Sequence, residues 1–93
     1  MSYYVPSFRG RAQAQFHQLS PWLREAVLDA VEQMLESAPP PAVAKRLPAP
    51  VSEQHDAVLL LDGRKHYLFL RAELDPVNRE LRVLSIGVLI KPA

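Results

Sequence analysis

The sequence predicts an α+β fold of order β-α-α-β-β-β: an N-terminal strand plus a C-terminal antiparallel meander, with an αα-hairpin packed on one sheet face. Three observations predict it. Apolar residues recur at helical spacing between Phe8 and Ala38, a block of prolines interrupts the chain after that, and from Ala57 the pattern turns strand-like around an Asp62-Gly63 pair. Ninety-three residues supply one core and would starve two, so residues 1–93 read as a single domain.

The elements follow in order. Tyr3-Tyr4-Val5 is β-prone and Pro6 suits a strand end or edge, which places a first strand at 2–6. Ser7 can then cap a helix whose Phe8, Ala12, Phe16 and Leu19 share a face. Ser20-Pro21 is the clearest local signal: a capping side chain followed by the residue best tolerated at the first helical position. The helix it opens carries an apolar stripe of Leu23, Val27, Ala30, Val31, Met34, Leu35 and Ala38, and an outer face of Glu25, Asp29, Glu32 and Glu36. Pro39-Pro40-Pro41 ends it. Five of the nine prolines lie between 39 and 50, so 39–54 reads as a stiff proline-rich connector with one short turn at 43–47. Ala57 to Leu61 forms the next strand, and Asp62-Gly63 is the pair favoured in two-residue hairpin turns. A strand from Arg64 to about Glu73, a turn at Asp75-Pro76-Val77-Asn78 and a last strand from Arg79 to about Ile90 complete the meander. Strict alternation in that last strand groups Arg82, Leu84, Ile86 and Val88 on one face. The first strand should pair with the final strand or one beside it, covering an edge.

Composition narrows the function classes. Eleven Lys and Arg against ten Asp and Glu leave a net charge of +1, too balanced to indicate nucleic-acid binding by charge alone. The absence of cysteine excludes disulfides, thiolate metal sites and thiol nucleophiles. His17 and His55 have no partners at metal-ligand spacing, so no metal and no cofactor are expected. The opening residues lack the basic and apolar regions of a secretory signal, and the apolar run Val83–Ile90 is far too short to span a bilayer. A cytoplasmic protein with no membrane partner is the expectation.

The layout and its landmarks resemble the RelE/ParE superfamily of bacterial toxin–antitoxin toxins. The matching features are the opening Tyr3-Tyr4-Val5, the helical hairpin through Phe16-His17-Gln18-Leu19 and Leu23 to Leu35, and the basic Lys45-Arg46-Leu47-Pro48 after the prolines. Asp62-Gly63-Arg64-Lys65-His66-Tyr67-Leu68-Phe69-Leu70 looks like the glycine-turn-then-basic strand of that family. Leu81-Arg82-Val83-Leu84-Ser85-Ile86-Gly87 is similar to its strand ending in glycine. The resemblance implies a toxin-like component of a type II toxin–antitoxin pair, neutralised by a small antitoxin that covers the helices or extends the sheet. Two routes follow from it: a ribosome-dependent mRNA interferase with a degenerate active site, or, as the alternative, a non-catalytic interaction module or a gyrase-inhibiting toxin. The nuclease members place polar residues after the last-strand glycine, where this chain has Val88-Leu89-Ile90. That departure leaves open whether the protein is an enzyme, and it offers a sheet edge or a homodimer contact in place of a polar site.

RNA cleavage needs a base for the 2′-hydroxyl, a cation for the phosphorane and an acid for the leaving oxygen. The candidates for proton transfer are His66 and Tyr67, and those for phosphate binding are Lys45, Arg46, Arg64, Lys65, Arg71 and Arg82. Alternation sends Lys65, Tyr67, Phe69 and Arg71 to one face and His66, Leu68 and Leu70 to the other. The first set mixes cations with aromatics and suits base stacking over a charged groove. Each candidate also has an ordinary reading: a hydrogen-bonded imidazole at a strand edge, solvated cations beside a turn, packing aromatics, and Arg71 or Arg82 paired with Glu73 or Glu80. The acidic face of the second helix is either a solvated surface or the dock of a basic partner, and it steers RNA towards the sheet.

Overall fold

Asp62 and Gly63 both adopt positive φ, 52° and 70°, as a two-residue type I′ turn requires. That turn sets the register of the long hairpin on which the remaining elements assemble. In this computed structural model, which describes residues 2–92, the chain runs β1 (Val5–Phe8), α1 (Arg11–Gln18), α2 (Pro21–Ser37), α3 (Pro41–Ala44), β2 (Val51–Leu61), β3 (Arg64–Asp75) and β4 (Glu80–Pro92). The strands form one mixed sheet of order β1-β4-β3-β2, antiparallel throughout the meander, with β1 parallel to β4. The protein is therefore α+β, with its helices gathered on one face of the sheet.

The core lies between that face and the helices. Leu68, Leu70, Ala72 and Leu74 of β3 and Leu81, Val83 and Ile86 of β4 pack against Val27, Ala30, Val31 and Met34 of α2 and Ala12 of α1. The apolar stripe of α2 is the one its 3.6-residue period predicts, and Ser20 caps the helix by accepting from the Leu23 amide. Tyr4, just ahead of β1, is buried; its hydroxyl donates to the carbonyl oxygen of Pro39 at 2.7 Å and ties the chain start to the end of α2. Burial, helped by the Glu53 carboxylate, pushes this phenol above its ordinary pKa. Among the described residues no helix is long and apolar enough to cross a membrane.

Three boundaries differ from the sequence reading. The first strand is 5–8 rather than 2–6: Val5 N donates to Arg79 O and Arg9 N to Val83 O, so the parallel partner draws Ser7 and Phe8 into the sheet. The first helix then starts at Arg11 after Gly10, whose φ of 55° turns the chain. Phe8 still reaches Phe16, at 4.8 Å between ring centroids, but across a strand–helix contact. The connector ends at Pro50 and its short helix sits at 41–44. Val51–Gln54 belong to β2, held there by pairing with Arg71–Leu74 although the segment lacks an apolar run.

The last strand also departs from strict alternation. Arg71 pairs with Ser85 but Ala72 with Val83, so Leu84 is an extra residue, a β-bulge. Leu81 and Val83 face the helices before it and Ile86 faces them after it, while Arg82 and Leu84 lie on the opposite side. Arg82 and Ile86 do not share a face.

Leu70, fully buried mid-sheet, tests this core: Leu70→Ala should cost about 2–5 kcal/mol of unfolding free energy by urea titration. Tyr4→Phe should cost about 0.5–1.5 kcal/mol through loss of the bond to Pro39.

Candidate nucleic-acid interface

The sheet face turned away from the helices carries four of the eight candidate residues, Lys65, Tyr67 and Arg71 together and Arg82 at its far end. Strand pairing lines them up in rows across β2, β3 and β4: Leu60, Lys65 and Lys91; then Val58, Tyr67 and Leu89; then Asp56, Phe69 and Gly87; then Gln54, Arg71 and Ser85. Each row follows from the two-residue period of β3, which places Lys65, Tyr67, Phe69 and Arg71 on this side without interruption. Phe69 packs beside Gly87, and 39% of the residue remains exposed. The Lys91 ammonium sits 5.6 Å from the centre of the Tyr67 ring, a cation–π contact. Lys65 and Lys91 are directly opposite one another, an unfavourable pairing of like charges that an anion between them would relieve. The band thus presents two rings flanked by Lys65 and Lys91 on one side and Arg71 on the other.

The other candidates lie elsewhere. His66 faces the helix side, with Nδ1 3.2 Å from the Arg64 carbonyl oxygen, in an open cleft that includes Trp22, Ser20 and Asp62. His66 and Tyr67 consequently serve opposite faces of the sheet and do not meet. Arg64 stands at the hairpin turn. Lys45 and Arg46 follow α3, and Lys45 borders a cleft with Asp75, Val77 and Arg82. That end of β3 is roughly 33 Å from Lys65 at about 3.3 Å per residue. One phosphodiester does not span these groups.

Arg82 is engaged in an ion-pair network at the same end. Its Nε donates to Glu80 at 2.9 Å and its Nη2 to Asp75, while Arg9 from beyond β1 donates to both Glu80 oxygens at 2.8 Å. Asp75 further accepts from the backbone amides of Asn78 at 3.0 Å and Val77 at 3.1 Å and from the Asn78 side-chain amide at 2.8 Å. The Asn78 amides, then Arg82, hold the Asp75 carboxyl below its ordinary pKa. Arg82 and Arg9 do the same for Glu80, and Glu80 with Asp75 raises Arg82. The arrangement closes the β3–β4 turn and clamps β1 to it. The sequence reading paired Arg82 with Glu73 or Glu80; the observed partners are Glu80 and Asp75.

Sequence reasoning left out Lys91, Leu89 and Val58 from this face. Their place follows from register alone: the Asp62-Gly63 turn puts Val58 opposite Tyr67, and counting through the last strand brings Leu89 and Lys91 alongside. The signal was present in the turn, but the bulge at Leu84 reverses a simple parity count. Among the described residues no group of three or more His, Asp or Glu is placed to hold a metal ion.

Comparisons with protein-family models, with curated proteins and with solved structures find no match to this chain. The RelE/ParE likeness rests on element order, length and the motifs of the chain itself.

The lowered carboxyl pKa values set a direction for acid unfolding. Groups whose folded pKa lies below the unfolded value stabilise the fold above the ordinary carboxylate range near pH 4, and that contribution is lost as pH falls through the folded values. Chemical denaturation followed below pH 5 should therefore show Asp75→Asn and Glu80→Gln proteins losing less stability with acid than the parent, while being less stable at neutral pH.

Proposed function

We propose that the chain is a toxin-like component of a type II toxin–antitoxin pair whose working surface is the open sheet face, and that this face binds single-stranded RNA. The observation that carries the reading is the band of Lys65, Tyr67, Phe69 and Arg71 on one exposed face with Lys91 alongside. Rings accept bases by stacking and the flanking cations accept phosphates, without needing a sequence code. The toxin assignment is supported by the likeness in element order and motifs.

Binding is better supported than turnover. Tyr67 is the candidate proton-transfer group on this face, whereas the His66 imidazole lies on the other and Arg82 is bound to two carboxylates. RNA held on the band has cations near its phosphates and no imidazole near its 2′-hydroxyl. A ribosome-dependent interferase built on these residues would rely on Tyr67 and on groups supplied by the ribosome. A second reading, a protein-binding module or gyrase-directed toxin, is favoured by Val58, Leu60 and Leu89, which expose 61%, 67% and 48% of their surface on the same face.

Fluorescence anisotropy with a labelled single-stranded RNA separates the two. Phe69→Ala should weaken binding by about 1–3 kcal/mol, and Lys65→Ala should lower the salt slope by about 0.7. Induced expression should arrest growth, with relief by Lys65→Ala and Arg71→Ala. Growth arrest with no RNA affinity, accompanied by inhibited DNA supercoiling, would transfer the assignment to the gyrase route.

A further inference from the structure

The two edges of the sheet are unlike. β1 is four residues long, contains Pro6 and is tied to the ion-pair network, all devices that block a further strand. β2 is an outer strand of eleven residues, VSEQHDAVLLL, with no proline, lysine or arginine, and its pairing with β3 is unbroken from end to end. Its outward backbone donors and acceptors form a continuous template for an added strand.

The side chains beside this edge specify what that strand must carry. On the open face, Val58 and Leu60 protrude and favour aliphatic neighbours in an adjoining strand. On the helix side, a groove separates β2 from α2, with Asp29 and Gln33 on one wall and His55, Ala57 and Leu59 on the other. Glu25, Glu32 and Glu36 are exposed along the same flank of α2 as Asp29, one turn apart or nearly so. Glu53 adds a further carboxylate on the helix-facing side of β2. The single cation of α2, Arg24, is directed away and donates to the carbonyl oxygens of Leu19 and His17. Since successive residues of a strand face opposite sides, one side of an incoming strand meets aliphatics and the other meets carboxylates.

We propose that the outer edge of β2 and the groove between β2 and α2 receive an extended segment of another protein in which aliphatic and cationic residues alternate. The segment adds a fifth strand, sets its aliphatics against Val58 and Leu60, and turns its Lys or Arg side chains towards Asp29 and the acidic flank of α2. A second copy of this chain fits poorly, because pairing two β2 edges brings two acidic helices together. RNA is repelled for the same reason. The site borders the open-face band, where Val58 and Leu60 stand beside Tyr67 and Lys65, but its backbone edge and its acidic wall are not part of that band.

The test uses the full chain and fluorescein-labelled octapeptides. The probe alternates Arg and Val; one control has the same composition in two blocks, the other alternates Glu and Val. The alternating Arg-Val peptide should bind at micromolar concentration, and both controls about tenfold more weakly or worse. The Glu25→Lys/Asp29→Lys protein, with its fold checked by circular dichroism, should lose about tenfold for Arg-Val and gain affinity for Glu-Val. Amide exchange should slow on binding at residues 57–60. Equal binding of the block peptide, unchanged affinity in the charge-reversed protein, no binding, or concentration-dependent dimers that exclude the peptide would each overturn the proposal. RNA affinity is measured separately, so either site can fail while the other stands.

Discussion

Strand β3 is central in the meander, and its unbroken alternation is the constraint on which the structure depends. Leu68, Leu70, Ala72 and Leu74 are buried beneath the helices, which leaves the intervening Lys65, Tyr67, Phe69 and Arg71 on the opposite face. A one-residue slip would exchange the two sets, putting cations into the core and leucines into water. The stabilisation that holds the hydrophobic set inside, about 1.5–3 kcal/mol for each large side chain, is therefore also what holds the candidate binding residues in a line. Core and surface are two readings of one register, pinned at one end by Asp62-Gly63.

Within that frame the two ends of the sheet are occupied differently. At the β3–β4 turn, charges are neutralised internally: Asp75, Glu80, Arg82 and Arg9 satisfy one another, and Asp75 also caps the turn amides. Near the hairpin turn, Lys65 and Lys91 face each other, and the ion pairs among the described residues include neither. A cation already paired must be stripped of its partner before it can hold a phosphate, whereas an uncompensated pair gains from one. This contrast, more than the number of basic residues, distinguishes Lys65 and Lys91 from Arg82 as candidate phosphate ligands.

Much of the architecture was legible in the sequence because its signals are local. Ser20-Pro21 opens α2 by cap chemistry, the triple proline closes it, and Asp62-Gly63 makes the hairpin turn by backbone conformation; none of these needs a distant partner. What could not be read depends on partners far along the chain. Ser7 and Phe8 become strand because β4 is adjacent, and Val51–Gln54 become strand because β3 is; neither segment carries its own apolar pattern. The Leu84 bulge is likewise a property of two strands together, and it moved Ile86 to the face opposite Arg82. Of the candidate site, Lys65, Tyr67 and Arg71 share a face as their spacing implies. His66 lies on the other face, as the same spacing implies, whereas Arg82, Lys45 and Arg46 are set apart by position and pairing that spacing does not encode.

The parallel contact between β1 and β4 joins Val5 to Glu80, while every other strand pair is a neighbour in sequence. Non-local contacts are slow to form because a long loop must close first. On the ribosome, an emerging chain can fold α2 and the β2–β3 hairpin early, but Val5–Phe8 has no place to dock until β4 has left the exit tunnel. Completion of the sheet thus waits for β4, the last of its four strands to be made.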